Sequence, residues 1–135
     1  MADILITSMI HGQNNFYNTI GMVSLDKQIR KELGNPIDSL QGQIWYIAKI
    51  NDRLVGFVTI KIRSKYILLC HGYVFPQFRR QGIFNELVKY MLVYCKNIYP
   101  EYKIKSVVTK MALNTYIHYG FKIVKQTKNY SFIEL

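Results

Sequence analysis

The segment Val74-Phe75-Pro76-Gln77-Phe78-Arg79-Arg80-Gln81-Gly82-Ile83-Phe84 has the residue types needed to hold an anion. It joins a strand-like run to the most regular helical pattern in the chain, so it ends at a helix N-terminus. Unpaired N–H groups and the partial positive charge of the helix favour a negative ligand there. Gly82 lets the backbone approach such a ligand closely, and Arg79 and Arg80 add charge. The turn suits a pyrophosphate. As side chains alone, the two arginines serve equally well as solvated loop residues.

The elements around this turn follow from the spacing of apolar residues. Residues 2–8 read as a first strand, and residues 11–33 as one or two helices that end at Gly34-Asn35-Pro36. Ile44–Ile50 and Leu54–Arg63 form a predicted hairpin about Asn51-Asp52-Arg53, with Val58, Ile60 and Ile62 on one side and Thr59, Lys61 and Arg63 on the other. Tyr66–Phe75 is a third strand in that meander. After Pro76 the period changes to 3.6, with Ile83, Leu87, Met91, Cys95 and Ile98 on one stripe of a helix that ends before Pro100. A strand over Tyr102–Val108, a short helix from about Ala112 to Tyr119 stopped at Gly120, and strands over Phe121–Lys125 and Tyr130–Glu134 complete the chain. Antiparallel runs broken by one strand-helix-strand crossover give an α/β fold with a mixed, mostly antiparallel sheet flanked by helices.

With 135 residues, half of them apolar, the chain can bury a core as one domain over residues 1–135. Cys70 and Cys95 lie in separate apolar runs and read as buried thiols in a reducing compartment; no metal site is expected. The N-terminus lacks a signal-peptide pattern and no apolar run approaches the roughly 20 residues that span a bilayer, so a cytoplasmic, membrane-free protein is expected. The net charge of +10, from 18 Lys+Arg against 8 Asp+Glu, draws anionic partners, nucleic acid among them. A Lys-rich solvated surface in a chain rich in Ile, Lys, Asn and Tyr accounts for the same charge without a ligand.

Two motifs carry a resemblance. Arg79-Arg80-Gln81-Gly82-Ile83 after Val74-x-Pro76 resembles the Q/R-x-x-G-x-G/A motif of the GCN5-related N-acetyltransferase (GNAT) family. Ala112-x-x-x-Tyr116-x-x-x-Gly120-Phe121 is similar to that family's downstream A-x-x-x-Y-x-x-x-G-F segment, and the order and separation of the two also match. The resemblance implies a GNAT-like domain that takes acetyl-CoA as co-substrate. Its thioester would lie near Val74 and Phe75, its pyrophosphate on the amides of the turn from Arg79 to Phe84, and the departing thiolate near Tyr116. Phe84 stands where the family usually has a second small residue, so its ring must point away from the turn. Thr109 stands where many members have an asparagine that touches the cofactor arm, with Asn114 as the substitute.

The activity so implied is direct attack of an amine on the thioester. The family often uses a carboxylate to take the amine's proton, but the strand Tyr66–Phe75 holds no Asp or Glu, which leaves His71 as the candidate base and His118 as its competitor. Scarcity of acid disfavours a polycationic acceptor, and Lys61, Arg63, Lys65, Lys103 and Lys105 suggest one carried on an anionic or nucleic-acid partner. The competing expectation is a GNAT-like protein without catalysis that binds nucleic acid or a protein through its basic surface. The acceptor's identity and the oligomeric state stay open.

Overall fold

The computed structural model describes residues 4–10 and 43–135. The helical reading of residues 11–33 lies outside them. Seven strands form one sheet: β1 (Ile4–Ile10), β2 (Ile44–Ile50), β3 (Arg53–Ile62), β4 (Tyr66–Val74), β5 (Lys103–Thr109), β6 (Lys122–Gln126) and β7 (Tyr130–Glu134), in the spatial order β1-β2-β3-β4-β5-β7-β6. Helix α1 (Ile83–Ile98) connects β4 to β5, and α2 (Lys110–His118) connects β5 to β6. Only β4 and β5 pair in parallel; the neighbours on either side are antiparallel. The expected mixed sheet is therefore the observed one; the β4-α1-β5 crossover carries the glycine turn, and a second crossover that was not expected, β5-α2-β6, passes over β7.

Local chemistry explains the connections. Asn51 and Asp52 both have positive φ, 50° and 65°, as a two-residue hairpin turn of the twist-matched type requires, so the second strand starts at Arg53. Helix α1 buries Ile83, Leu87, Val88, Met91, Leu92 and Cys95, and each such side chain contributes about 1.5–3 kcal/mol when fully removed from water. Glu86 in its first turn and Lys96 in its last complement the helix dipole. These residues meet Val58, Ile60, Ile67, Leu69, Ile104 and Ile133 in one core on the inner face of the sheet.

Several boundaries differ from the sequence expectation by one or two residues, among them β3, β4 and β5. The first strand is described over Ile4–Ile10 and ends two residues beyond the expected end. Helix α2 starts at Lys110, directly after β5 and two residues before the expected start; Lys110 and Met111 are exposed and carry no apolar period to reveal a helix. Gly120, at φ 98°, stops α2 as expected, and β6 starts one residue later, at Lys122. A larger correction concerns β3. Its alternation predicted one solvated face, yet Val55, Phe57 and Thr59 are as buried as Val58 and Ile60, so the strand is covered on both sides over most of its length. Among the described residues no helix is long and apolar enough to cross a membrane.

Candidate functional site

The parallel ladder between β4 and β5 runs from Tyr66↔Lys103 to Leu69↔Ser106 and ends there, although both strands continue. The Ser106 hydroxyl donates to the Leu69 carbonyl at 3.0 Å on this last rung. The cause of the split is a bulge. Ile60 pairs with Leu69 and Thr59 with His71, which leaves Cys70 as an extra residue in β4, and a bulge bends and twists its strand. Past that point β4 stays bonded to β3, while β5 stays bonded to β7 as far as Thr109↔Tyr130. The two strands diverge into a cleft of about 320 Å³. It lies toward the carboxyl ends of two parallel strands, where open α/β sheets bind ligands.

Each wall of the cleft comes from a different element. Leu69 to Gly72 line it from β4 and Ser106 to Thr109 from β5. Phe84 of α1 and Ala112 and Tyr116 of α2 close it on the helix side, and Tyr130 stands on the other strand edge. Tyr116 is 5% exposed, held edge-on by Phe84 (5.9 Å between ring centroids) and Phe121 (5.4 Å). Burial pushes its phenol well above the ordinary value of 10.0, so the group keeps its proton at physiological pH. His71 is half-buried, and its backbone N–H donates to the Thr59 hydroxyl at 3.1 Å. Burial lowers the imidazole pKa from 6.5, which leaves it neutral and able to accept a proton.

Cys70 corrects the expectation of a core thiol: it is half-buried and lines the cleft. Burial raises its pKa, and the charges of Lys61 and Arg63 work in the opposite direction. Cys95 is buried as expected, with its thiol pushed up to about 12 by burial.

The turn before α1 is held by backbone bonds. The Phe75 N–H donates to Val55 at 3.0 Å and the Phe78 N–H to Phe75 at 2.8 Å. Arg79 folds back, its Nε donating to the Val74 carbonyl at 2.8 Å while its guanidinium lies 5.3 Å from the Tyr73 ring centroid. Gly82 caps α1 at φ 80° with no side chain capping the helix, and a Cβ placed there meets nothing within 4 Å. The turn therefore presents first-turn amides beside open space. Arg80 and Gln81 are exposed beside it, and Ile83 is in the core. Phe84 points away from the turn; its ring lies over Gly72, with Cε2 2.6 Å from where a Cβ of residue 72 would sit.

The family model for the acetyltransferase (GNAT) domain matches residues 17–135. The chain belongs to the GNAT family. Among solved structures, ElaA of Escherichia coli is similar at a TM-score of 0.79 and 17% identity, over 96% of this chain and 98% of that one. An acyl-CoA N-acyltransferase from Pseudomonas aeruginosa is similar at 0.79 and 13% identity, over 98% and 99%. A GNAT acetyltransferase from Elizabethkingia anophelis, solved with acetyl-CoA bound, is similar at 0.66 and 18% identity, over 98% and 97%. At such identities the likeness shows the GNAT fold. No curated protein matches the chain in sequence.

Of the residues singled out from sequence, the GNAT sheet brings His71, Phe84, Thr109 and Tyr116 onto one cleft. Val74, Phe75, Arg79, Arg80, Gln81, Gly82 and Ile83 sit outside its lining, at the turn, and Asn114 is exposed on α2. Thr109 is also the N-cap of α2 and makes no side-chain capping bond. Sequence reasoning missed Gly72, Ser106 and Tyr130. A glycine inside a strand signals a close approach, here by Phe84, and was the one available clue. Ser106 and Tyr130 carry no such signal.

Proposed function

We propose that the chain is an acetyl-CoA-dependent N-acetyltransferase. The observation that carries this reading is the split of β4 from β5 after Leu69↔Ser106, because it opens a cleft with a buried phenol on one wall and a neutral imidazole on the other. The residues fit the co-substrate. The uncapped first turn of α1, open at Gly82, would take the pyrophosphate through the amides near Gly82, Ile83 and Phe84, with Arg80 and Gln81 at the rim. Arg79 acts from behind by fixing the turn to Val74, and Val74 and Phe75 form the buried base of the strand end. Thr109 lines the arm from β5, and Asn114 supplies a polar group further along α2.

The chemistry follows from those placements. The amine nitrogen attacks the thioester carbonyl carbon, a C–N bond forms and the C–S bond breaks. His71, neutral through burial, takes the amine's proton directly or through water. Tyr116, protonated through burial, donates to sulfur as charge develops there. A thiolate leaving beside the buried Tyr116 has its own pKa raised by desolvation, which favours the transfer. Most of the rate enhancement comes from holding amine and thioester together. Among the described residues no Asp or Glu lines the cleft, which disfavours a polycationic acceptor. The free thiols Cys70 and Cys95 support a cytoplasmic setting.

Titration with acetyl-CoA tests the proposal. At 100 times the dissociation constant, binding raises stability by about 2.7 kcal/mol, visible as a higher melting temperature. If saturating acetyl-CoA produces neither a melting shift nor calorimetric heat, the enzyme reading fails and the fold serves binding alone.

A further inference from the structure

From the Lys61 end of β3 across β4 and β5 to β7 and β6, the outer face of the sheet, turned away from α1 and α2, is charged with one sign. Register assigns its residues: Lys61 is opposite Leu68, Leu68 opposite Lys105, Lys105 opposite Glu134, and Lys125 opposite Phe132. Their chain neighbours Ile60, Ile67, Ile104 and Ile133 point the other way, into the core. By the same alternation Arg63, Lys103 and Lys122 join Lys61, Lys105 and Lys125 on the outer side. Among the described residues of these strands the one carboxylate on this face is Glu134, and it is held by Lys103 at 2.8 Å.

Aromatic rings are interleaved with these cations. The Lys105 ammonium lies 4.8 Å from the Tyr66 ring centroid and that of Lys125 5.6 Å from Phe132. Tyr130 and Phe132 are exposed. Tyr130, Val107 and Thr109 belong both to this face and to the lining of the cleft, so the basic strip leads directly to the site. From β3 to β6 the strip crosses five strands, about 19 Å at the usual interstrand spacing. That width exceeds a metabolite and suits a run of phosphates. Exposed rings next to cations offer π faces to bases, which an acidic peptide would leave unused.

We propose that this face binds single-stranded nucleic acid and presents an amine carried on that strand to the cleft; the transfer half of the proposal rests on the acetyltransferase reading, the binding half does not. The probe is a 12-nucleotide single strand, as RNA and as DNA of the same sequence, followed by fluorescence anisotropy on the full chain from 50 to 200 mM salt. With five cations not held by Glu134, log affinity falls against log salt with a slope of about −3.5. The double variant Lys61→Ala/Lys105→Ala flattens the slope by about 1.4. Phe132→Ala weakens binding at unchanged slope. Both variants keep the melting shift given by acetyl-CoA. A slope near zero, or equally tight binding of poly-glutamate, overturns the nucleic-acid face. Labelled acetyl-CoA incubated with a fractionated cell extract tests the transfer half: label in the nucleic-acid fraction supports it, and label confined to protein or metabolites overturns it. Failure of acetyl-CoA to bind at all sinks the cleft chemistry while the anisotropy result still decides the face.

Discussion

The ring of Phe84 stands perpendicular to that of Tyr116, their centroids 5.9 Å apart, while its other edge fills the space above Gly72. One side chain from the first turn of α1 thus sets both the position of the phenol and the depth of the cleft. This explains how a bulky residue follows Gly82 and Ile83 without closing the turn: the ring is accommodated by a strand glycine on the far side.

Truncating that ring is expected to deepen the cleft at the expense of packing. Phe84→Ala should cost about 2–3 kcal/mol, less than for a fully buried phenylalanine, because Phe84 is half-buried. It should also admit longer acyl chains, so the propionyl-CoA to acetyl-CoA ratio of kcat/KM rises. A urea titration and a two-substrate assay read the two effects, and an unchanged ratio would show that Phe84 does not bound the acyl site.

The two strand glycines should respond differently to a methyl group. At Gly72 the obstacle is the Phe84 ring, which can rotate, whereas at Gly56 it is the Tyr73 backbone carbonyl, 2.9 Å from the added Cβ. Gly72→Ala should cost about 1 kcal/mol and Gly56→Ala about 3 kcal/mol, the lower and upper ends of the overpacking range. Denaturation midpoints of the two variants check the order, and Phe84→Leu should rescue only Gly72→Ala.

For Tyr116 the expectation is a separation of binding from turnover. Tyr116→Phe removes a hydroxyl that no described residue bonds, so stability and acetyl-CoA affinity should hold while kcat falls about 100-fold. Turnover equal to the parent would leave Tyr116 as a packing residue.

His71 gives a pH dependence whose sign is fixed by burial. Its folded pKa lies below 6.5, so the unfolded chain binds the proton more readily. Its contribution to stability is complete above pH 6.5 and is lost as pH falls below 6.5 toward the folded value. The acid limb of kcat/KM should likewise fall below 6.5, and His71→Gln should remove that limb. An acid limb that persists in the variant assigns it to another group.

Thiol chemistry reports on the cleft independently of turnover. Cys70 should react slowly with iodoacetamide, since burial holds the thiol protonated, and acetyl-CoA should protect it; Cys95 should not react in the native protein. Mass spectrometry of the labelled chain decides both.

The sequence by itself determined the order of the described elements, the helix over Ile83–Ile98, the glycine turn at Gly82, the stop at Gly120 and the two GNAT motifs. All of these depend on local chemistry: apolar period, glycine conformation, and the spacing of a few residues along one chain segment. Only the tertiary structure decided that β3 is covered on both faces, that Cys70 is a bulge on the cleft wall instead of a core thiol, and that Phe84 turns onto Gly72. Each depends on a partner far away in sequence. A bulge is a mismatch of register between two strands, burial needs the covering element, and a ring's direction depends on where space is left. Tyr116 and His71 were legible as residue types, but their protonation states were not, because burial by the assembled sheet and helices is what raises one pKa and lowers the other.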